Sequence, residues 1–155
     1  MVRIDSNKIQ EILYKDCNFK KSHKIFCPNV FAYEWESDFI AVTRAAFVIE
    51  YEIKISLSDF RLDFKKYDKH SILKTGMDKE GKAFLRPNFF WYAAPENVIP
   101  IQEIPKYAGF ITVRGREINV VRKAPSLHRD KITQPLAVKI LKSFQYKYWD
   151  MRMAK

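Results

Sequence analysis

The chain has 155 residues, 47% of them apolar and 30% charged, with a formal net charge of +10 and an isoelectric point near 9.6. This length and composition specify one globular domain spanning residues 1–155 with a real core, and argue against a disordered chain. Four glycines argue against a glycine-rich nucleotide loop, and no run of about 18 apolar residues is present to cross a membrane.

The charge is uneven. Residues 114–155 carry 11 Lys/Arg against 3 Asp/Glu, whereas residues 1–113 carry 17 against 15. A basic segment beside a near-neutral one points to a polyanion partner, first of all nucleic acid, over a merely solvated helix face. The absence of a leader and the two cysteines, Cys17 and Cys27, lead to the expectation of a cytoplasmic protein with both thiols reduced. Cys17, His23 and Cys27 lie close in sequence, but their spacing matches no common zinc finger and a fourth ligand is not evident. Two half-buried thiols are the simpler expectation.

In chain order, Ser6 is placed to cap a helix running to about Cys17, with Ile9, Ile12, Leu13 and Cys17 on one face. Lys15 to Lys24 is polar and basic and reads as a loop. Ser37–Thr43 and Phe47–Ile55 alternate as strands and are joined by Arg44-Ala45-Ala46, which predicts a hairpin of open turn type. Ser56 with Asp59 resembles a capping box, followed by a helical stripe of Leu57, Phe60, Phe64 and Tyr67. Lys74 to Arg86 reads as a loop. Asn88–Ala94 is almost wholly apolar, as a strand buried on both faces would be. Gly109–Val113 and Ile118–Ala124 read as two further strands. Thr133 or Gln134 starts a last helix with Leu136, Ala137, Ile140, Leu141, Phe144 and Tyr148 on its core face. The fold class is therefore α/β, a central mixed β-sheet flanked by helices.

The hairpin carries the chemistry. Centred on Ala45, it places Asp38 opposite Glu52, Glu36 opposite Lys54 and Ile40 opposite Glu50, all on one face. Opposed side chains lie about 5 Å apart at Cβ, close enough for Asp38 and Glu52 to share one cation. Like charges so placed destabilise a sheet unless something neutralises them, and Mg²⁺ commonly takes one or two carboxylates. Lys54 points the same way, toward a phosphate or an attacking water. An exposed face of ordinary ion pairs, such as Glu36 with Lys54, is the alternative, and a one-residue slip would break the Asp38–Glu52 pairing.

Asp38 followed by Glu52-Ile53-Lys54 resembles the signature of the PD-(D/E)XK nuclease superfamily, with Ser37 where the name has proline. The wider text, "WESDFIAVT" through "EYEIKISLSDFRLDFKKYDKH" with "PNFFWYAAPE", "IPKYAGFITV" and "VVRKAPSLH", is similar to the branch of MmcB-like DNA-repair proteins and covers most of the chain. The resemblance implies a restriction-endonuclease-like core. It further implies a Mg²⁺- or Mn²⁺-dependent DNA nuclease acting in DNA repair, recombination or mobile-element processing. Asp38, Glu52 and Lys54 would be catalytic. The metal ligands would be Asp38, Glu52, the Ile53 carbonyl and Glu11 from the first helix. Asp59, Asp63, Lys66, Lys69 and His70 would contact DNA or tune the site, or form helix-surface ion pairs. Arg114, Arg116, Arg122, Lys123 and Lys139 fit phosphate contacts that position without reading sequence. A silent nucleic-acid- or partner-binding module of the same fold is the alternative function. No membrane partner is expected, and a homodimer stays open. Trp35, Trp91 and Trp149 are expected in the core or at its rim, and Glu36 and Glu50 have no assigned role.

Overall fold

A computed structural model describes residues 3–20 and 23–154. Among these, α1 (Ser6–Lys20) is followed by β1 (His23–Val30), β2 (Ser37–Thr43), β3 (Val48–Ile53), α2 (Leu57–Asp63) and α3 (Tyr67–Thr75). Then come β4 (Phe89–Pro95), β5 (Gly109–Arg114), β6 (Glu117–Arg122) and α4 (Gln134–Met153). The strands form one mixed sheet whose spatial order is β1-β2-β3-β4-β5-β6. Strands β3, β4 and β5 run parallel, and the other neighbours are antiparallel.

Alternation along the strands divides the apolar residues between two cores, one on each face. Ile9, Ile12, Leu13 and Cys17 of α1 pack on Phe39, Ala41, Ile53, Ala93 and Ile111. On the other face Phe60, Ile72 and Leu73 of α2 and α3, with Leu136 and Ile140 of α4, cover Ile40, Val48, Phe90 and Tyr92. Cys17 and Cys27 belong to different cores on opposite faces, so they do not converge with His23 on an ion.

The hairpin register is the expected one, with Phe39 paired to Tyr51, Ile40 to Glu50 and Val42 to Val48. Its three-residue turn ends on Ala46 at φ +67°, and Ala46 N–H donates to the Thr43 carbonyl at 2.9 Å. A turn followed by a left-handed residue is the usual three-residue hairpin, though that residue is ordinarily glycine.

Three expectations are corrected. The end of the Lys15–Lys24 segment is not loop: the helix continues to Lys20 and an edge strand starts at His23, residues 21 and 22 lying outside the described residues. That strand hides from pattern reading because it contains Pro28, tolerated at a sheet edge, and its register shifts between His23 and Ile25. The single stripe after Ser56 is two helices. The Ser56 side chain caps α2 by accepting from Asp59 N–H at 3.1 Å, but the chain tightens at Lys65 and Lys66 and turns before α3, leaving Tyr67 62% exposed. Finally, only Leu136 and Ile140 of α4 are buried; Leu141, Phe144, Tyr148 and Trp149 are about half exposed.

Candidate active site

The face that carries Glu50, Glu52 and Lys54 is not solvent-exposed. Strand β3 is central, its neighbour β4 sets Phe90 beside Glu50 and Tyr92 beside Glu52, and all three charged side chains are buried. Ordinary surface ion pairing of this strand is therefore overturned, and Glu36 is exposed.

Asp38 lies one residue beyond the last rung of the hairpin. Its Oδ2 accepts the Ile53 N–H at 2.7 Å, and Gln10 of α1 donates to the Asp38 carbonyl at 2.7 Å. A side-chain oxygen thus takes a backbone donor that a continuing ladder would have used, which fixes the carboxyl beside the end of β3. Burial, then the Glu52 charge, push the Asp38 carboxyl up to about 6, against the Ile53 N–H and the two nearby lysines Lys54 and Lys69.

Glu52 sits between two ammonium groups. Lys54 Nζ is 2.9 Å from Oε1 and Lys69 Nζ is 2.9 Å from Oε2. Both lysines also reach Asp63, at 3.4 and 3.2 Å from Oδ1, and Lys66 reaches the same oxygen at 3.3 Å. Burial pulls the Lys54 and Lys69 ammoniums down, but Glu52 and Asp63 outweigh it and hold both above the usual lysine range. Burial alone would raise Asp63. The His70 hydrogen bond and the Lys69 and Lys54 charges outweigh it and hold the carboxyl far below the usual range.

Glu50 is fully buried. Its Oε1 accepts the Trp35 Nε1–H at 2.7 Å, and Oε2 has no hydrogen-bond partner. Desolvation pushes this carboxyl up to about 8, opposed by Lys69 and reinforced by Glu52. At neutral pH it therefore carries a proton. The buried carboxylates Glu52 and Asp63 then face the buried ammoniums Lys54 and Lys69, two against two, with half-exposed Lys66 also on Asp63 and Asp38 beside Glu52.

The remaining candidate residues divide by place. Glu11 pairs with Lys8 at 3.0 Å on the exposed side of α1, whose apolar side packs the opposite face of the sheet; it is not brought to Asp38 and Glu52. Lys69 is buried in the ion network rather than displayed to a partner. His70 packs against Phe64 with both ring nitrogens engaged, Nε2 at Asp63 and Nδ1 at Tyr107. Arg122 is committed to the carbonyls of Ile104, Pro105 and Ala108. Arg114, Arg116 and Lys123 are exposed around the β5–β6 hairpin, at the sheet edge opposite β1.

An open cavity of about 450 Å³ leads to the network, lined by Trp35, Lys65, Lys66, Tyr67, Lys69 and Lys79 among others. Glu34 separates it from a second cavity lined by Lys82 and Lys139. Of the lysines and arginines expected to meet phosphates, Lys66 and Lys69 line the first cavity and Lys139 the second.

Among the described residues no cluster of three or more His, Cys, Asp or Glu side chains is arranged to ligate an ion. Asp38 and Glu52 are hard oxygen donors of the kind Mg²⁺ takes in pairs, so the donor chemistry fits, with both Glu52 oxygens at present held by ammoniums. Sequence reading set Asp63 among residues that contact DNA, tune the site or form surface ion pairs, without its central place in a buried network, and it missed Trp35 as the partner of Glu50. Asp63 closes α2 on the buried face it shares with Phe60, a place ordinarily held by an apolar residue.

No protein-family model and no curated protein matches the chain. A solved structure, a protein of unknown function from Silicibacter pomeroyi, is similar in fold, with a TM-score of 0.61 at 16% identity over 83% of this chain and 80% of that one.

Proposed function

We propose that this protein is a divalent-metal-dependent DNA nuclease with a PD-(D/E)XK-like site. The observation that carries the reading is the convergence of Asp38, Glu52 and Lys54 at one end of the hairpin, beside a lysine-lined mouth. Asp38 and Glu52 would hold Mg²⁺ or Mn²⁺, with the Ile53 carbonyl close at hand on the same strand. Bound there, the cation would supply a more acidic water and offset charge on the phosphoryl oxygens. Lys54 orients the nucleophile or offsets charge on the phosphate, at a position its two carboxylate partners define. Lys65, Lys66 and Lys79 attract the nucleic-acid backbone without reading its sequence.

The test is cleavage of single-stranded, duplex and branched DNA with Mg²⁺ or Mn²⁺, comparing wild type with Lys54→Ala and Asp38→Asn. Each substitution is expected to lower the rate by roughly a hundredfold or more. Wild-type protein that cuts none of these substrates, or a variant that cuts as fast, refutes the reading.

One observation favours a second reading. The ion network is already balanced, and both Glu52 oxygens are paired. A non-catalytic nucleic-acid-binding module of the same fold would use the network only as structure. Its DNA affinity would fall steeply with salt and ignore both metal and Asp38→Asn.

A further inference from the structure

We propose that Asp63 is the positioning residue of this site, holding the ammonium groups of Lys54 and Lys69 in place from behind so that both stay at the reaction centre when Glu52 turns to a cation. The role in turnover rests on the nuclease reading; the contacts do not. Lys54 extends from the end of β3 and Lys69 from α3, two segments that share no backbone hydrogen-bond ladder. They are joined by a closed ring: Glu52 Oε1 to Lys54, Lys54 to Asp63, Asp63 to Lys69, and Lys69 to Glu52 Oε2, with N–O separations of 2.9, 3.4, 3.2 and 2.9 Å.

Asp63 is suited to hold rather than merely neutralise, because it is fixed on its other side. Tyr92 of β4 donates its hydroxyl to Oδ2 at 2.9 Å, and His70 Nε2 lies 3.0 Å from Oδ2 and 3.0 Å from the Asp63 carbonyl. Both of those atoms are acceptors, so Nε2 carries a proton. In the neutral ring Nδ1 then accepts the Tyr107 hydroxyl, which lies 2.5 Å away. The chain Tyr107–His70–Asp63, braced by Tyr92, pins the carboxylate so that Oδ1 faces the lysines. Its side chain has no exposed surface, whereas Lys66, the third ammonium on Oδ1, is half exposed and faces the mouth. Removing Asp63 leaves two buried ammoniums on one carboxylate, and their mutual repulsion expels one of them.

The experiment pairs two readouts on Asp63→Asn. The first is nitrogen-detected NMR of the lysine ammonium groups in cold, mildly acidic buffer. Wild type is expected to show slowly exchanging signals from Lys54 and Lys69, and Asp63→Asn to lose at least one. The second is DNA cleavage, where kcat is expected to drop on the order of a hundredfold, the scale of an ångström-level misplacement, with KM nearly unchanged. Partial rescue by Asp63→Glu is expected, since the charge returns one methylene out of place. If Asp63→Asn does not fold, the signals are read in Asp63→Glu, where the displaced carboxylate is expected to shift both ammonium resonances and lower kcat, and unchanged resonances overturn the proposal. Folded variants that keep the ammonium signals, or that cleave at the wild-type rate, overturn the proposal. If wild type itself cleaves no DNA, the nuclease reading fails, and the ammonium signals alone decide whether Asp63 holds the lysines.

Discussion

Glu50 illustrates how far one residue's environment can move its chemistry. Its carboxyl is wholly desolvated and sits at about 8, against 4.5 for an exposed glutamate. The folded chain therefore keeps a proton that the unfolded chain releases, and stability falls as pH rises through that window. The slope is about 1.4 kcal/mol per pH unit for one proton. Glu50→Gln keeps the shape and removes the titration, so its stability relative to wild type is expected to grow with pH and level off above about 8. Chemical denaturation at pH 6 and pH 8 checks this, and equal pH slopes for the two proteins would refute it. Asp63 contributes with the opposite sign. Its depressed carboxyl stabilises the fold above the ordinary range of aspartate, and that contribution is lost as the solution is acidified below it.

Among the elements, the hairpin was the most legible in the sequence. Strict alternation over Phe47–Ile55 and a three-residue connection fix both its face and its register, because a slip by one would bury a different set of side chains. What alternation cannot tell is what lies above a face: α2 and α3 cover it, and the acids become buried ones. The turn geometry carries a prediction of its own. Ala46 holds a left-handed conformation that costs an L-residue about 1 kcal/mol, so Ala46→Gly is expected to stabilise by up to that amount in thermal or chemical unfolding. The reverse applies at Gly109, where β5 passes under Trp91. A Cβ there would stand 2.5 Å from the Trp91 ring and 2.6 Å from the Ala124 nitrogen. Gly109→Ala is expected to destabilise by about 1–3 kcal/mol, read as a lower denaturation midpoint. The break between α2 and α3 was illegible because Leu57, Phe60, Phe64 and Tyr67 satisfy a helical period that the chain does not follow past Asp63.

At the scale of the whole molecule, the basic excess is real but dispersed. By sequence it falls in the last 42 residues, yet Arg122 is spent on backbone carbonyls and Arg114, Arg116 and Lys123 lie toward the far sheet edge. The mouth beside the ion network is lined by Lys65, Lys66 and Lys79, from the middle of the chain. Replacing these three by Gln is expected to reduce the salt dependence of DNA binding, by roughly 0.9 in slope for each phosphate no longer neutralised. Replacing Arg114 and Arg116 is expected to leave that slope unchanged. Titrations at several salt concentrations distinguish the two faces.

The strand order has a consequence for how the molecule comes into being. Every strand in the sheet lies beside the strand that precedes it in the chain. None has to be threaded between two already paired, so each can join an open edge as it leaves the ribosome. The β1-β2-β3 meander needs only partners close along the chain, and the slower parallel additions of β4 and β5 come after a template exists. The acids of β3 are therefore laid down first, on an edge still open to water, and lose that water as α2 and α3 close over their face and β4 joins beside them.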